Sequence, residues 1–319
     1  MKYASKYISL LIISLLYSIV GCHKVNDSKQ RPNLDGRKAR VVATTGMIAD
    51  AVREIAGNEV EIISLIGPGG DPHKYYATAG DIDKLKNADL ILYNGLHLEA
   101  AMTRLFENMS HQVRTVAISH NIEVSRLRHA DEGSGGEYDP HIWFDVSLWC
   151  FAVENISQAL CELDPKNREL YTKETCNYLN RLKKLHHEIQ EMSQTIPKEK
   201  RVIITAHDAF GYFGQAYGFE VRGLQGTSTA SQTGTKAVQE LVHLIGSRRI
   251  PVIFAETSVP DEGMKAVLEA VRIQYPDVQL RLSPHRLFSD ALGPAETAEG
   301  SYIGMVRYNI RTIVGALRP

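Results

Sequence analysis

The sequence predicts an α/β protein of two similar lobes, each a parallel sheet flanked by helices, joined by one long rigid backbone helix. Three observations carry this expectation. Short apolar runs alternate with amphipathic stretches on both sides of the chain's middle. The runs are apolar throughout, as in strands covered on both faces by crossover helices. Between the halves, Tyr178, Leu182, Leu185, Ile189, Met192 and Ile196 recur at spacings of 4, 3, 4, 3 and 4, one stripe on a long helix.

In the first half, Arg40 to Thr45 is a short apolar strand, and Met47 to Ile55 carries helical spacing. Val60 to Ile66 reads as a second strand, closed by a turn at Gly67, Pro68, Gly69 and Gly70. Gly80 to Asn87 is a short helix, and Leu90 to Tyr93 a third strand ending at Asn94-Gly95. Leu98 to Met109 is helical, and Thr115 to Ile118 is a fourth strand. Asp145 to Leu163 reads as one helix and Lys166 to Ile196 as a longer one. Asp164 and Pro165 separate them, as an N-cap followed by proline at the first helical position. The 31 residues from 166 to 196 would span roughly 46 Å, enough to run along both lobes as a spine. The second half repeats the plan with strands at Val202–Thr205, Phe219–Arg222, Val252–Ala255 and Val278–Leu282.

The N-terminus sets the compartment. Lys2 and Lys6 precede an uncharged run from Tyr7 to Val20 and then Gly21-Cys22, the layout of a secretory signal. That run is short for a membrane-spanning helix. Ile19 to Cys22 resembles a bacterial lipobox, which implies that Cys22 becomes the lipidated first residue of the mature chain. The expected parts are a leader (1–21), a flexible tether (22–38), a first α/β lobe (39–145), linking helices (146–197) and a second lobe (198–319). The location that follows is the periplasmic or cell-surface side, lipid-anchored to the cell membrane.

Losing Lys2 and Lys6 with the leader moves the formal charge from −1 to −3. With no Lys/Arg block, that balance offers no surface for nucleic acid. A hydrophobic content of 44% is enough to build two lobes. Beyond Cys22, the odd set Cys150, Cys161 and Cys176 leaves at least one free thiol. Cys150 and Cys161 share a helix and stand roughly 16 Å apart, too far to bridge; pairing of Cys161 with Cys176 stays open.

The chemistry lies in three histidines. Asp-Pro-His occurs at Asp71-Pro72-His73 and again at Asp139-Pro140-His141, and Ala206-His207-Asp208 follows, at intervals of 141 − 73 = 68 and 207 − 141 = 66. Proline fixes its own backbone and extends the residue before it, so each Asp-Pro aims the next imidazole. Imidazole is the commonest protein metal ligand. Ligands of open α/β sheets gather at the carboxyl ends of strands, where His73, His207, Glu256 and Asp290 all fall. Three imidazoles with one carboxylate suit a first-row divalent cation, zinc or manganese above all.

These segments together resemble the metal-binding lipoproteins of ABC transporters, the TroA-like cluster that takes up zinc and manganese. The likeness covers roughly residues 40–319. It rests on the segment ending Asp71-Pro72-His73, Tyr93 to Glu99, Asp139 to Asp145, Thr205 to Phe213, and Leu287 to Gly293. The resemblance implies that His73, His141, His207 and Asp290 are the ligands, two from each lobe, holding one Zn²⁺ or Mn²⁺ per chain. It implies high-affinity binding and delivery to a membrane permease with its ATPase, by a monomer with no catalytic activity. Manganese-selective relatives often place Glu where this chain has His207. Zinc-specific members often carry a His-rich loop where Arg126 to Tyr138 holds only His129. The sequence is thus similar to short-loop members of mixed zinc and manganese type. Asp208 and Glu256 are expected to orient ligands from outside the coordination sphere.

Two other functions are open on these residues. One is a zinc hydrolase with Glu256 as general base, but Asp290 as a fourth ligand would close the position catalytic zinc keeps for water. The other is a surface adhesin with a structural metal. His97 stands near the strand ends of the first lobe. His186-His187-Glu188 begins like a zinc-protease motif, but Glu191 occupies the place of the second ligand, so it reads as a solvated face of the spine. The turn from Gly67 to Gly70 lacks the Gly-Lys-Ser/Thr of a phosphate loop.

Overall fold

Two apolar cores flank each sheet, and this explains why Val41 to Ala43 and Leu90 to Leu92 are apolar on both faces. The computed structural model describes residues 34, 36–131, 133–231 and 234–318; the leader and Cys22 lie outside them. In the first lobe, β1 (Ala39–Ala43) leads to α1 (Gly46–Ala56), β2 (Val60–Ser64), α2 (Ala79–Lys86), β3 (Leu90–Tyr93), α3 (Thr103–Met109) and β4 (Arg114–Ala117). The strands are parallel, in the order β2-β1-β3-β4. Val41, Ala43, Leu90 and Leu92 enter an inner core, while Val42 and Ile91 enter an outer one with Leu85 and Phe106. The period-two alternation of side chains divides each strand between the two.

Helices α4 (Val146–Leu163) and α5 (Arg168–Gln194) follow. The second lobe holds β5 (Val202–His207), α6 (Gly211–Tyr217), β6 (Glu220–Gln225), α7 (Thr235–Arg248), β7 (Val252–Ile253), α8 (Glu262–Gln274), β8 (Arg281–Leu282) and α9 (Tyr302–Leu317). Here β5 pairs with β6 and β7 with β8, all parallel. The Phe254 amide donates to the Ile204 carbonyl at 2.8 Å and joins the pairs. The resulting order, β6-β5-β7-β8, repeats that of the first lobe. Again one strand feeds two cores, with Ile203 facing inward and Ile204 outward.

The spine is shorter than its sequence pattern. Pro165–Asn167 form a 3-10 turn, and α5 has 27 residues, about 40 Å of helix. Asp164 makes no backbone cap; its carboxylate accepts from Asn167 and Tyr171 instead. Tyr178, Leu182, Leu185, Ile189 and Ile196 are buried, and Met192 is half-buried against them. Helix α5 packs on α1 and α4 and also on α6 and α9. One continuous core therefore includes Met47 of the first lobe, Leu182 of the spine and Phe254 of the second.

Other expectations shift locally. The helix expected from Leu98 begins only at Thr103, after a 3-10 turn at Ala100–Met102, because Gly95, Leu96 and His97 are left-handed, with φ of 81°, 53° and 67°. The strand expected at Val252–Ala255 pairs with β8 only at Val252 and Ile253. Beyond it, Glu256 meets Leu287 in a single bridge as the chain turns toward the site. The strand expected at 278–282 pairs only at Arg281 and Leu282, because a turn holds the Val278 amide to the Tyr275 carbonyl. Cys150, Cys161 and Cys176 are all free, the first two on α4. Among the described residues, no helix is long and apolar enough to cross a membrane.

Candidate metal centre

The two Asp-Pro-His segments share one side-chain-to-backbone bond, although His73 lies within a 3-10 turn and His141 just before one. Asp71 Oδ1 accepts the His73 amide at 3.0 Å, and Asp139 Oδ1 accepts the His141 amide at 3.0 Å. In each, an Asp side chain closes the turn across the proline and fixes the direction of the following imidazole. The turn before Asp71 needs Gly70, where a Cβ would come within 2.5 Å of Ile66 Cγ2. His207 is the last residue of β5, two residues beyond the expected strand end at Thr205, and its position is set by the sheet. Asp290 follows the Glu256–Leu287 bridge. Trp143 Nε1 donates to the Ser289 carbonyl at 3.0 Å, tying that loop to the turn beside His141.

All four side chains converge. One atom from each of His73, His141, His207 and Asp290 lies within 4.8 Å of the others. The His141 Nε2 is 3.2 Å from that of His73 and 3.4 Å from that of His207. Asp290 Oδ1 is 3.4 Å from His141 Nε2, 3.4 Å from His207 Nε2 and 4.0 Å from His73 Nε2. Ligands at zinc bond lengths of 2.0–2.1 Å in a tetrahedron stand roughly 3.4 Å apart. The four groups thus have the spacing of a coordination shell able to hold one metal ion. His141, His207 and Asp290 are fully buried and His73 is 4% exposed. Asp290 Oδ1 has no hydrogen-bond partner, a costly state for a buried carboxylate oxygen unless a cation completes it.

Carboxylates brace the far side of two imidazoles. Asp139 Oδ1 lies 2.7 Å from His141 Nδ1. Glu256 Oε1 accepts the His207 amide at 2.8 Å, and its Oε2 makes an ion-pair contact with His207 Nδ1 at 2.5 Å. Each leaves Nε2 turned to the centre. Burial pushes His73 down to about 3. Burial acts the same way on His141 and His207, but Asp139 beside the first and Glu256 and Asp290 beside the second outweigh it and raise both. Burial opposes ionisation of Asp290, yet the facing imidazoles, His207 foremost, hold it well below the usual carboxylate range.

Glu256, expected to orient a ligand, contacts His207 through both oxygens. Asp208 does not touch a ligand; its carboxylate faces Arg128, 3.7 Å away, and burial lifts it to about 6. The carboxylate that touches His141 is Asp139, and its signal in the sequence is the repeated Asp-Pro-His itself. His97 is exposed and shares a small cavity with His73. His186 departs from the solvated reading: it is half-buried, with Nδ1 3.0 Å from the Tyr217 hydroxyl.

The profile of the periplasmic zinc-uptake complex component A family, ZnuA, matches residues 41–316. The chain belongs to that family. It is 48% identical to the zinc-binding protein TroA of Treponema pallidum over 88% of this chain and 89% of that protein. It is 38% identical to the manganese-binding lipoprotein MntA of Bacillus subtilis, over 96% of this chain and 97% of that one. The solved structure of Treponema pallidum TroA superposes with a TM-score of 0.84 at 47% identity, covering 88% of this chain and all of that one. The ZnuA-family fold, two parallel sheets on a helical spine, is therefore the frame that carries this group of donors.

Proposed function

We propose that this chain binds one zinc or manganese ion outside the cytoplasmic membrane and delivers it to the permease of an ABC transporter. The ligands in this reading are His73, His141, His207 and Asp290. What supports it most is the unpartnered Asp290 Oδ1 facing three Nε2 atoms in a buried group of donors. Membership of a family of zinc-uptake components supports the transport role. The chain is held to the membrane through a lipid on Cys22, acts as a monomer and works with a permease and its ATPase. The two lobes, 39–145 and 198–319, each contribute two ligands, and residues 146–197 hold them apart.

The chain is not an enzyme in this reading. Glu256, the general base a hydrolase would need, has both oxygens committed to His207. Four protein ligands also leave no vacant position for a reacting water on a tetrahedral metal. The test is metal quantification of protein purified from its own cell, beside the Asp290→Ala variant. Near one zinc or manganese per wild-type chain, and much less in the variant, is the expected result. Equal metal in both would reject Asp290 as a ligand.

A further inference from the structure

Arg128 lies outside the ligand group, on the segment leading to Asp139, yet it reaches across to the second lobe. Its Nη1 is 3.7 Å from Asp139 Oδ2, and its Nη2 is 3.7 Å from Asp208 Oδ2. Asp139 is the carboxylate that holds His141, and Asp208 directly follows His207. The guanidinium therefore stands between a carboxylate bonded to one ligand and a carboxylate adjacent to another, one from each lobe. Asp139 Oδ2 and Asp208 Oδ1 are buried and have no hydrogen-bond partner among the described residues.

The backbone around Arg128 is arranged to keep it there. Its amide donates to the Tyr212 hydroxyl at 3.0 Å, and that hydroxyl donates to the Asp139 carbonyl at 2.9 Å. The guanidinium also lies 5.9 Å from the centre of the Tyr212 ring. Gly211 makes the room: a Cβ there would overlap the guanidinium rather than any backbone atom. Asp139 is fully buried and Asp208 only 15% exposed; two such carboxylates repel, and removing the cation that faces both leaves charge uncompensated. Arginine's planar fork can face both at once, which a lysine ammonium cannot.

We infer that Arg128 is a positioning residue for the metal site, a cross-lobe clasp that holds His141, through Asp139, in register with His207. The inference rests on the four-ligand site proposed above. Losing the clasp loosens the two halves of the coordination shell against each other, so its effect falls on metal release. Groups that orient ligands from outside typically change affinity by about 10–100-fold when mutated.

The test uses full-length protein and Co²⁺ as a spectroscopic probe, with Zn²⁺ release followed after mixing with excess chelator. Arg128→Met removes the guanidinium, and Gly211→Ala displaces it while leaving Arg128 in place. Both are expected to speed Zn²⁺ release by about 10–100-fold and to alter the Co²⁺ ligand-field spectrum. Arg128→Lys should recover only part of the loss. Release rates and spectra like wild type in Arg128→Met, or in a folded Gly211→Ala, would overturn the inference, even if the metal-free proteins unfold at lower temperature. If the wild type itself gives no Co²⁺ ligand-field spectrum and binds no Zn²⁺, the ligand assignment fails and takes the clasp with it.

Discussion

Asp139 and His141 touch twice: one carboxylate oxygen accepts both the backbone amide of His141, at 3.0 Å, and its ring Nδ1, at 2.7 Å. A single oxygen thereby fixes the turn, the ring's orientation and the tautomer, and Nε2 is left as the free donor. Glu256 braces His207 with two oxygens, one accepting its amide and the other in ion-pair contact with Nδ1. Both carboxylates sit behind an imidazole, so removing either should have a similar effect.

Asp139→Ala and Glu256→Ala are each expected to weaken zinc binding by about 10–100-fold without abolishing it. Competition titration against a chelator of known affinity reads this directly. Full wild-type affinity in either variant would show that its imidazole is oriented by packing alone.

The wild type should bind zinc more tightly than manganese, because three imidazoles follow the usual order of divalent affinities. His207→Glu should narrow that gap. A carboxylate at 207 is a harder ligand, but it would face Glu256, which now contacts His207 Nδ1 at 2.5 Å. Affinity for both metals should therefore fall, and zinc affinity further. Parallel titrations with each metal at one pH decide it; a wild type preferring manganese outright would contradict the role given to His207.

What was legible in the sequence is what is local. Asp-Pro-His folds through contacts two residues apart, and β3 begins and ends where its apolar run does, at Leu90 and Tyr93. Glu256 was legible because a strand's carboxyl end points at the site. Arg128 was not, since its backbone partner Tyr212 lies 84 residues away and only the meeting of the lobes brings them together. The short pairing of β7 and β8 was also hidden, because Val252–Ala255 keeps its apolar character after its pairing with β8 ends at Ile253. The left-handed turn at Leu96 and His97 defeated the helix expected from Leu98, as Leu96 is not a residue that announces positive φ.

The spine's stripe sets a stability expectation. Leu182 is fully buried in the core shared by both lobes. Leu182→Ala should destabilise the metal-free protein by about 2–5 kcal/mol, from lost burial and the cavity left behind. Denaturant unfolding followed by circular dichroism measures it. A loss well under 1 kcal/mol would mean that the core closes around the gap.

Because α5 packs on helices of both lobes, metal loading should change loops near the site more than the separation of lobes. Hinge closure needs a few flexible connecting residues to absorb a rotation, and α5 is helical throughout its 27 residues. Small-angle scattering of the metal-free and metal-loaded protein should give nearly the same radius of gyration. Marked compaction on loading would be incompatible with a rigid spine.

Asp50 supplies a pH signature independent of the ligands. It lies on α1, 8% exposed, and its Oδ2 accepts the Tyr302 amide at the start of α9 at 2.9 Å. Burial raises it from 3.8 to about 6, and the Tyr302 amide and nearby Arg53 only partly offset this. A raised carboxyl keeps its proton in the folded chain after the unfolded chain has lost it. Its effect on stability is therefore most favourable below about pH 4, declines as pH rises toward 6, and is level beyond. The full penalty is on the order of 3 kcal/mol. Asp50→Asn keeps an oxygen for the Tyr302 amide and does not titrate. Its stability relative to wild type should accordingly improve by up to about that amount between pH 4 and pH 7. Denaturant melts of both proteins across this range, without metal, provide the measurement; a difference that stays flat with pH would place the Asp50 carboxyl at its ordinary value.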